Sequence, residues 1–554
     1  MALHFLNGHF ADRLPTELWS QVFADLPYTE MLRCQLPQVR TIIESMLRLY
    51  ETWLRAHALT NVEPSQIPLK KRKKMLLHYH RAWESLSPDG TLPPGSSFRP
   101  ISTHTLARQS PPLVLESGWV VVSDFARGLT FIKLPTLSSL DGDSRCNTWS
   151  VKKQLTYSQL PPGLMTYRLD PSQDLLICLA MSDPERDPDI FALSMSTGQP
   201  HPLAEQHMFE SGIEESDEVN SFQIHRDLVV LYAGANDERI LQVWNWKTGD
   251  LLLTEEGFDA WGDTVTFVGD MTLLLVQEYI LHLFVFTEDN LVHTCDLCLP
   301  RFCQEAGVQL WTTVSQPLSN APEPGHAFTT DPDQSVVVIN MARAVPGTDT
   351  KCSLLLAIRV AGLLEQVRVL LEHVRKHDSD AEPPTPTPFE YRVPWTQWGP
   401  QNTRFVTVPE TWEAPSTFGR RCALSYYNAD SVPELALFDF GLDAEKVTMA
   451  ARTHELSEGW SVEVLPAPTS LDMGIWFEDV TWVDTQLPCR VRRRLLPAPP
   501  DQIIIAAMLW EDGVILKTSH RNQCDYSSMS LHAPPPPLPS AWPPLPPPPT
   551  RGGA

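Results

Sequence analysis

Short apolar runs separated by turn residues recur through most of this chain, and they constrain its fold more than any other feature. The stretches 174–203, 227–253 and 269–297 each follow the pattern strand, turn, strand, turn, strand. The turns Ser196–Gly198 and Lys247–Gly249 lie 51 residues apart. Repeats of about 40–50 residues with several short strands are typical of β-propellers. One such sheet cannot bury both faces alone, so the sheets stack around a common axis.

The predicted fold class is therefore a degenerate WD-type β-propeller, all-β, with seven or eight blades. The spacing of its strand groups is irregular, and the chain contains no Trp-Asp dipeptide, which is a mark of the regular WD repeat. Further apolar runs at 335–340, 353–360 and 503–510 extend the pattern toward the C-terminus. An open pair of β-sandwiches is the alternative architecture for the same strands.

The first hundred residues have a different, helical character. Leu18, Val22 and Leu26 recur at i, i+4 and i+8, which makes one broad apolar face of a helix. Pro27 ends this helix, and a second short helical pattern follows up to Leu36. Helices this short are stable only when another surface covers their apolar faces.

The charge of the chain is uneven and bears on its partners. The net charge of the 554 residues is −24, and the first 100 residues carry 12 basic and 9 acidic side chains, so that the remainder carries −27. A protein that binds duplex nucleic acid needs a basic surface that displaces counterions. The acidic remainder therefore disfavours nucleic acid as a partner and biases association toward basic partners.

Cysteine usage and hydropathy bear on location. Ten cysteines are scattered along the whole chain, which favours a reduced compartment over a disulfide framework. The N-terminus lacks a basic region followed by a long apolar run, so no signal peptide is expected. The longest apolar stretch, 273–286, contains Gln277, Glu278 and His282 and is too short for a bilayer. We expect buried strands there, no membrane partner, and a cytoplasmic and/or nuclear location.

The two short helical patterns resemble the F-box, a three-helix module that docks on the Skp-family adaptor of cullin-based ubiquitin ligases. The likeness lies in Leu14-Pro15, Glu17-Leu18, Val22-Phe23, Leu26-Pro27 and Met31-Leu32-Arg33-Cys34. In that family the adaptor covers the apolar faces of the helices. The resemblance implies these adaptor-binding residues: Leu14, Pro15, Leu18, Val22, Phe23, Leu26, Leu32 and Leu36. Pro37 departs from the family pattern near the start of the third helix.

A broader resemblance is to a large group of F-box proteins from mushroom-forming fungi. Its motifs here are Arg-Ala-Trp-Glu-Ser-Leu at 81–86, Val-Pro-Trp-Thr-Gln-Trp-Gly-Pro-Gln-Asn-Thr-Arg at 393–404, and Phe-Gly-Arg-Arg at 418–421. The resemblance implies an F-box followed by a propeller-like domain that recruits substrates. From the residues themselves, we expect Trp395 and Trp398 to pack between blades instead of facing a ligand.

Four parts of the chain are predicted on these grounds. Residues 1–60 are an F-box-like helical module, 61–98 a helical linker, and 99–530 a β-propeller-like domain. Residues 531–554 are a proline-rich disordered tail, because they cannot form a core and favour an exposed polyproline II segment.

The proline-rich tail offers a second kind of docking. Residues 543–546 resemble a ligand of WW domains, and Pro546, Pro549 and Arg551 fit an SH3-ligand pattern. SH3 or WW domains are therefore candidate partners, and a passive solvated tail is the alternative.

A search for catalytic and metal-binding patterns leads to no enzyme, cofactor or metal prediction. The chain lacks a Gly-x-Ser-x-Gly elbow, a Walker loop and a His-Glu-x-x-His motif. Cys295 and Cys298, with His293 nearby, have metal-like spacing, but a structural zinc site usually pairs two such motifs. Their odd spacing would also place them on opposite faces of a straight strand.

The basic run Lys70–Lys74 has two interpretations. It is compatible with a nuclear import signal. A solvated face of a helix over 69–86 is the alternative.

These observations lead to two functional hypotheses. In the first, the chain is a non-catalytic F-box adaptor that brings a protein substrate, as yet unknown, to a cullin ligase. In the second, it is a propeller scaffold without ligase association that recruits partners through its tail. An enzymatic site in the central channel has no motif behind it.

Overall fold

The computed structural model describes residues 47–85, 114–134, 150–377 and 392–530, apart from short internal gaps. These gaps are 63–66, 68, 117, 125–127, 182–185, 215–216, 236–237, 259–263, 270, 278, 287–290, 303–308, 315–325, 345–350, 410–414, 429, 442–459, 466–467, 475, 480, 497–502, 512 and 521–522. The F-box-like segment 14–36 and the tail 531–554 lie outside the described residues.

The described residues form a six-bladed β-propeller, in which each blade is a sheet of four or five strands. Blade 1 holds β2 (Val114–Glu116), β3 (Trp119–Asp124), β4 (Gly128–Lys133) and β5 (Ser150–Leu155). Blade 2 holds β6 (Leu164–Asp170), β7 (Leu175–Ala180), β8 (Asp189–Ser194) and β9 (Met208–Glu210). Blade 3 holds β10 (Glu218–His225), β11 (Leu228–Ala235), β12 (Glu238–Asn245) and β13 (Asp250–Phe258).

Two of the last three blades carry a fifth strand. Blade 4 holds β14 (Thr264–Phe267), β15 (Thr272–Gln277), β16 (Ile280–Phe286), β17 (Leu291–Cys298) and, parallel to β17, β22 (Arg392–Val393). Blade 5 holds β18 (Gln309–Val314), β20 (Val336–Ala344), β21 (Lys351–Arg359) and β23 (Thr403–Pro409). Blade 6 holds, in spatial order, β24 (Ser416–Phe418), β25 (Arg421–Tyr427), β26 (Pro433–Phe440), β30 (Cys489–Leu495) and β27 (Trp460–Leu465).

Two antiparallel pairs of strands and four α-helices accompany the blades in the described part of the chain. The pairs are β1 (Leu59–Asn61) with β19 (Phe328–Thr330) and β28 (Thr469–Asp472) with β29 (Trp482–Thr485). The helices are α1 (Leu47–Ala56), α2 (Leu69–Ser85), α3 (Val360–His377) and α4 (Trp395–Asn402). No described helix is both long and apolar enough to cross a membrane.

A three-stranded sheet lies between blade 6 and blade 1. It consists of β31 (Ile503–Trp510), β32 (Gly513–His520) and β33 (Gln523–Ser530). Leu509 and Leu516 share an apolar core with blade 6. Trp510 and Ile515 pack with Val120 of blade 1. This sheet therefore connects the last blade to the first.

The predicted count of seven or eight blades is wrong, because two blades carry long insertions. Blade 5 spans 309–409 and includes α3 and α4, and blade 6 spans 416–495 and includes the β28–β29 hairpin. Dividing the chain by a regular repeat length counts these insertions as blades.

The central strands are buried on both faces, as the apolar runs predict. All six residues of β7 are buried, because blades 1 and 3 cover its two sides. The apolar stretch 273–286 forms β15 and β16 of blade 4 and is buried for most of its length. The prediction of buried strands there is confirmed.

Candidate functional site

The predicted adaptor-binding residues lie outside the part of the chain that the structure describes. Leu14, Pro15, Leu18, Val22, Phe23, Leu26, Leu32 and Leu36 all precede residue 47. Their grouping into one docking face stays a prediction. The described helices next to them in sequence are α1 and α2.

Helices α1 and α2 are part of the propeller core. Tyr50 and Leu54 of α1 lie with Leu76 and Trp83 of α2 in the apolar cluster that includes Leu437 of blade 6. The Tyr50 hydroxyl donates a hydrogen bond to the carbonyl oxygen of Ala327 at 3.2 Å. Strand β1 adds an antiparallel pairing with β19. The segment predicted as a helical linker is thus packed against the blades along α2.

The Arg-Ala-Trp motif supplies the end of α2 with a buried anchor, Trp83. Its indole Nε1 donates to the carbonyl oxygen of Glu511 at 3.2 Å. The guanidinium carbon of Arg421 lies 4.1 Å from the Trp83 ring centroid, a cation–π arrangement. Arg421 Nη1 also donates to the Tyr79 hydroxyl at 3.0 Å. Arg492 donates to the Trp83 carbonyl, which satisfies one of the acceptors left open at a helix C-terminus.

Beneath this anchor lies a buried ionic cluster centred on Asp439. Arg420 Nε lies 2.7 Å from Asp439 Oδ1, and Arg490 Nη2 lies 3.3 Å from Oδ2. Arg421 Nε lies 4.0 Å from Oδ2. Strand pairing brings these groups together, because Arg421 lies opposite Asp439 on β25 and β26, and Arg490 opposite Asp439 on β30.

The guanidinium groups determine the charge state of this cluster. Burial alone would raise the pKa of Asp439, but the neighbouring arginines, with Arg420 the strongest, hold it well below its usual range. Burial lowers the pKa of Arg420, and the charge of Asp439 opposes that effect. Asp439 is therefore a carboxylate that fixes several cations beneath the docked helix.

The second motif of the resemblance, 393–404, forms a packed joint between blades 4 and 5. Trp395 and Trp398 are buried, with ring centroids 5.2 Å apart in an edge-to-face arrangement. Trp398 Nε1 donates to the carbonyl oxygen of Cys298 on blade 4 at 3.0 Å. Arg404 Nε donates to the carbonyl oxygen of Leu487 at 2.6 Å. The prediction that both tryptophans pack between blades is confirmed.

Replacing Gly399 by alanine tests the close packing of this joint. The expected change in stability is opposite in sign to that of most Gly-to-Ala changes in helices. Gly-to-Ala changes in a helix normally stabilise by about 1 kcal/mol. A Cβ at Gly399 would lie 2.3 Å from Cε3 of the buried Trp395. We expect Gly399→Ala to lower the free energy of unfolding by about 1–3 kcal/mol, measured by urea denaturation.

Gly474→Ala is the matched control, since the nearest atoms to its added Cβ are 3.5 Å away. We expect it to unfold like the unchanged chain. Equal stability of the Gly399→Ala chain would contradict the close packing described for Trp395.

The basic run 70–74 is divided between contacts and solvent. Arg72 Nη1 donates to Asn61 Oδ1 at 2.6 Å, and its guanidinium lies 5.3 Å from the Tyr50 ring. Lys73 Nζ lies 5.8 Å from the Trp53 ring, while Lys71 and Lys74 are exposed. Part of this run therefore joins α2 to α1, in addition to facing water.

The polar groups on blade 4 are arranged as structural partners. His282 Nδ1 lies 2.7 Å from Asp296 Oδ1, and its Nε2 lies 2.9 Å from Gln277 Oε1. Because both ring nitrogens of His282 have these partners, His282 and Asp296 are not placed to activate a nucleophile. Cys295 is buried in the apolar core, and Cys298 is partly exposed. Among the described residues, no group of three His, Cys, Asp or Glu side chains is placed to hold a metal ion.

The sheet arrangement defines a β-propeller, and comparison with known proteins adds no family to that class. No protein-family model and no curated protein matches the chain.

Solved structures match only distantly. The chain covers 65 to 68% of three Hsv2 structures from Kluyveromyces lactis, and 45% of its own length is matched, at 12 to 14% identity and TM-scores of 0.23 to 0.24. The match to hydrazine synthase from Kuenenia stuttgartiensis covers 77% of this chain and 98% of the hydrazine synthase chain, at 9% identity and a TM-score of 0.36. The match to Drosophila Semaphorin 2a covers 78% of this chain and 75% of the semaphorin chain, at 8% identity and a TM-score of 0.33. These likenesses are too weak to transfer a function.

Proposed function

We propose that this chain is a substrate-recruiting adaptor of a cullin-based ubiquitin ligase. In this proposal residues 14–36 dock on the Skp-family adaptor, and the propeller binds the substrate protein. The observation that carries it is the burial of α1 and α2, which follow the F-box-like segment, in the core of blade 6. Because α1 and α2 are fixed on the propeller, the position of Leu47 relative to the blades is defined, and in this proposal that position limits the distance between a bound substrate and the ligase.

The mechanism in this proposal is proximity. Holding a substrate lysine near the conjugating enzyme converts a slow encounter into an effectively intramolecular transfer. The chain then needs no catalytic residue of its own, in keeping with the absence of recognised catalytic motifs in its sequence.

A pulldown of the full chain from its own cell extract tests the proposal. Proteins that co-purify are identified and quantified by mass spectrometry. We expect the Skp-family adaptor and a cullin in stoichiometric amounts. Their absence from a folded, soluble preparation would overturn the ligase assignment.

The scaffold hypothesis is the second candidate, and the same burial of α1 and α2 favours it in part. Those helices have their apolar faces covered by the propeller and need no adaptor for stability. In this case the pulldown would recover SH3- or WW-domain proteins, and removal of residues 531–554 would abolish their recovery.

A further inference from the structure

Trp482 is the most exposed of the large apolar side chains that the structure describes, with 61% of its surface accessible. We propose that Trp482 and the carboxylates beside it form a docking surface for an arginine-bearing segment of a partner protein. This proposal does not rest on the ubiquitin-ligase function.

The hairpin register places two carboxylates beside the indole. Asp472 lies directly opposite Trp482, and Asp484 follows on the same face of β29. Because Met473 N donates to the carbonyl oxygen of Thr481 at 2.7 Å, the next pair, Asp472 and Trp482, is of the non-hydrogen-bonded kind. Side chains in such pairs stand closest, with Cα atoms about 4.5 Å apart.

The opposite face of the same segment holds the hairpin in place. Val483, Met473 and Trp476 are buried in the core shared by blades 4 and 5. Phe477 stacks on Phe302 with ring centroids 5.4 Å apart. The β28–β29 hairpin therefore presents Trp482 from a fixed base, which reduces the entropy lost when a partner binds.

The charge of this segment selects the sign of the partner. Residues 466–489 contain Asp472, Glu478, Asp479 and Asp484 and no lysine or arginine. Among the described residues, no lysine or arginine stacks on the Trp482 ring. The surface thus offers an open aromatic face with carboxylates on its border.

Arginine is the side chain that such a surface fits best. Its planar guanidinium stacks on an indole, which is the strongest aromatic partner for a cation, and it also donates bidentate hydrogen bonds to carboxylates. A second copy of this chain is disfavoured as the occupant, since Asp472 and Asp484 of both copies would face each other.

The test measures binding of two fluorescein-labelled peptides, Gly-Arg-Gly-Arg-Gly-Arg-Gly and its glutamate counterpart, to the full chain by fluorescence anisotropy. We expect the arginine peptide to bind saturably and the glutamate peptide not to bind. Trp482→Ala leaves the charge unchanged and should weaken binding of the arginine peptide at least about tenfold. Trp482→Phe should weaken this binding by less. The double change Asp472→Asn with Asp484→Asn should also weaken binding of the arginine peptide and make that binding less dependent on salt concentration.

Matched variants separate this site from general acidity. Leu203→Ala removes another large side chain that is 58% exposed, and it should leave binding unchanged. Glu255→Gln with Glu256→Gln removes two exposed carboxylates from β13 and should also have no effect. Binding of the Trp482→Ala chain within twofold of the unchanged chain would overturn the proposal, as would an equal loss in the Glu255 and Glu256 variant.

Discussion

Replacing Asp439 by asparagine is expected to lower the free energy of unfolding by about 3–5 kcal/mol. Such a loss is typical when one partner of a buried ionic cluster is removed and the remaining charges stay buried. Arg420 and Arg490 both have nitrogens within 3.3 Å of this carboxylate. The change keeps the shape of the side chain, so the loss reports charge and not a cavity. Denaturation by urea, followed by circular dichroism, measures it.

The pH dependence of this variant gives an independent readout. The pKa of Asp439 is lowered in the folded chain by its arginine neighbours, against the effect of burial. Its contribution to stability is therefore complete above the unfolded-state pKa of about 4 and is lost as the pH falls toward the folded-state value. The unchanged chain should lose stability over this acidic range more steeply than Asp439→Asn.

Asp227→Asn is the matched control for the same chemical change. Asp227 Oδ1 lies 2.7 Å from Lys247 Nζ, and both side chains are substantially exposed. Exposed pairs of this kind contribute about 0–1 kcal/mol. Equal losses in Asp439→Asn and Asp227→Asn would mean that the buried cluster contributes no more to stability than an exposed ion pair.

The double change Leu14→Ala with Pro15→Ala is expected to abolish co-purification of the Skp-family adaptor. Burying a leucine side chain in an interface stabilises the complex by about 1.5–3 kcal/mol. Each 1.4 kcal/mol corresponds to about a tenfold change in affinity. The measurement is adaptor recovered per mole of chain after co-expression and affinity purification.

The chain offers a matched control with the same two residue types. Pro202 and Leu203 are adjacent and exposed on blade 2, and replacing both by alanine should leave adaptor recovery unchanged. Thermal unfolding shows whether each variant is folded. Unchanged recovery by the folded Leu14 and Pro15 variant would refute the docking role of 14–36 and favour the scaffold hypothesis.

Local sequence patterns predicted the elements better than their number and their long-range partners. Helix α2 and the strands within 273–286 were predictable, because period and apolar runs are local properties. The Asp439 cluster was not, since Arg421, Asp439 and Arg490 meet only through strand pairing. The run 490–494, with four arginines among five residues, is the one sequence signal that pointed to it.

The exposure of Trp482 was also beyond prediction from sequence. The chain has 17 tryptophans, and Trp476, only six positions away, is buried. Which of the two faces water depends on which side of the β28–β29 hairpin packs on blades 4 and 5. Alternation along a strand separates the two faces but does not say which one is covered.

The core shared by α1, α2, blade 6 and the three-stranded sheet constrains the order in which this protein folds during its synthesis. Tyr50 and Trp83 leave the ribosome long before Leu509 and Leu516, which complete the same core. Blades 1 to 5 can assemble while the chain is still growing. Helices α1 and α2 keep part of their apolar surface exposed until β31 and β32 have been synthesised. A chain cut short before residue 503 would keep that surface open to chaperones and proteases.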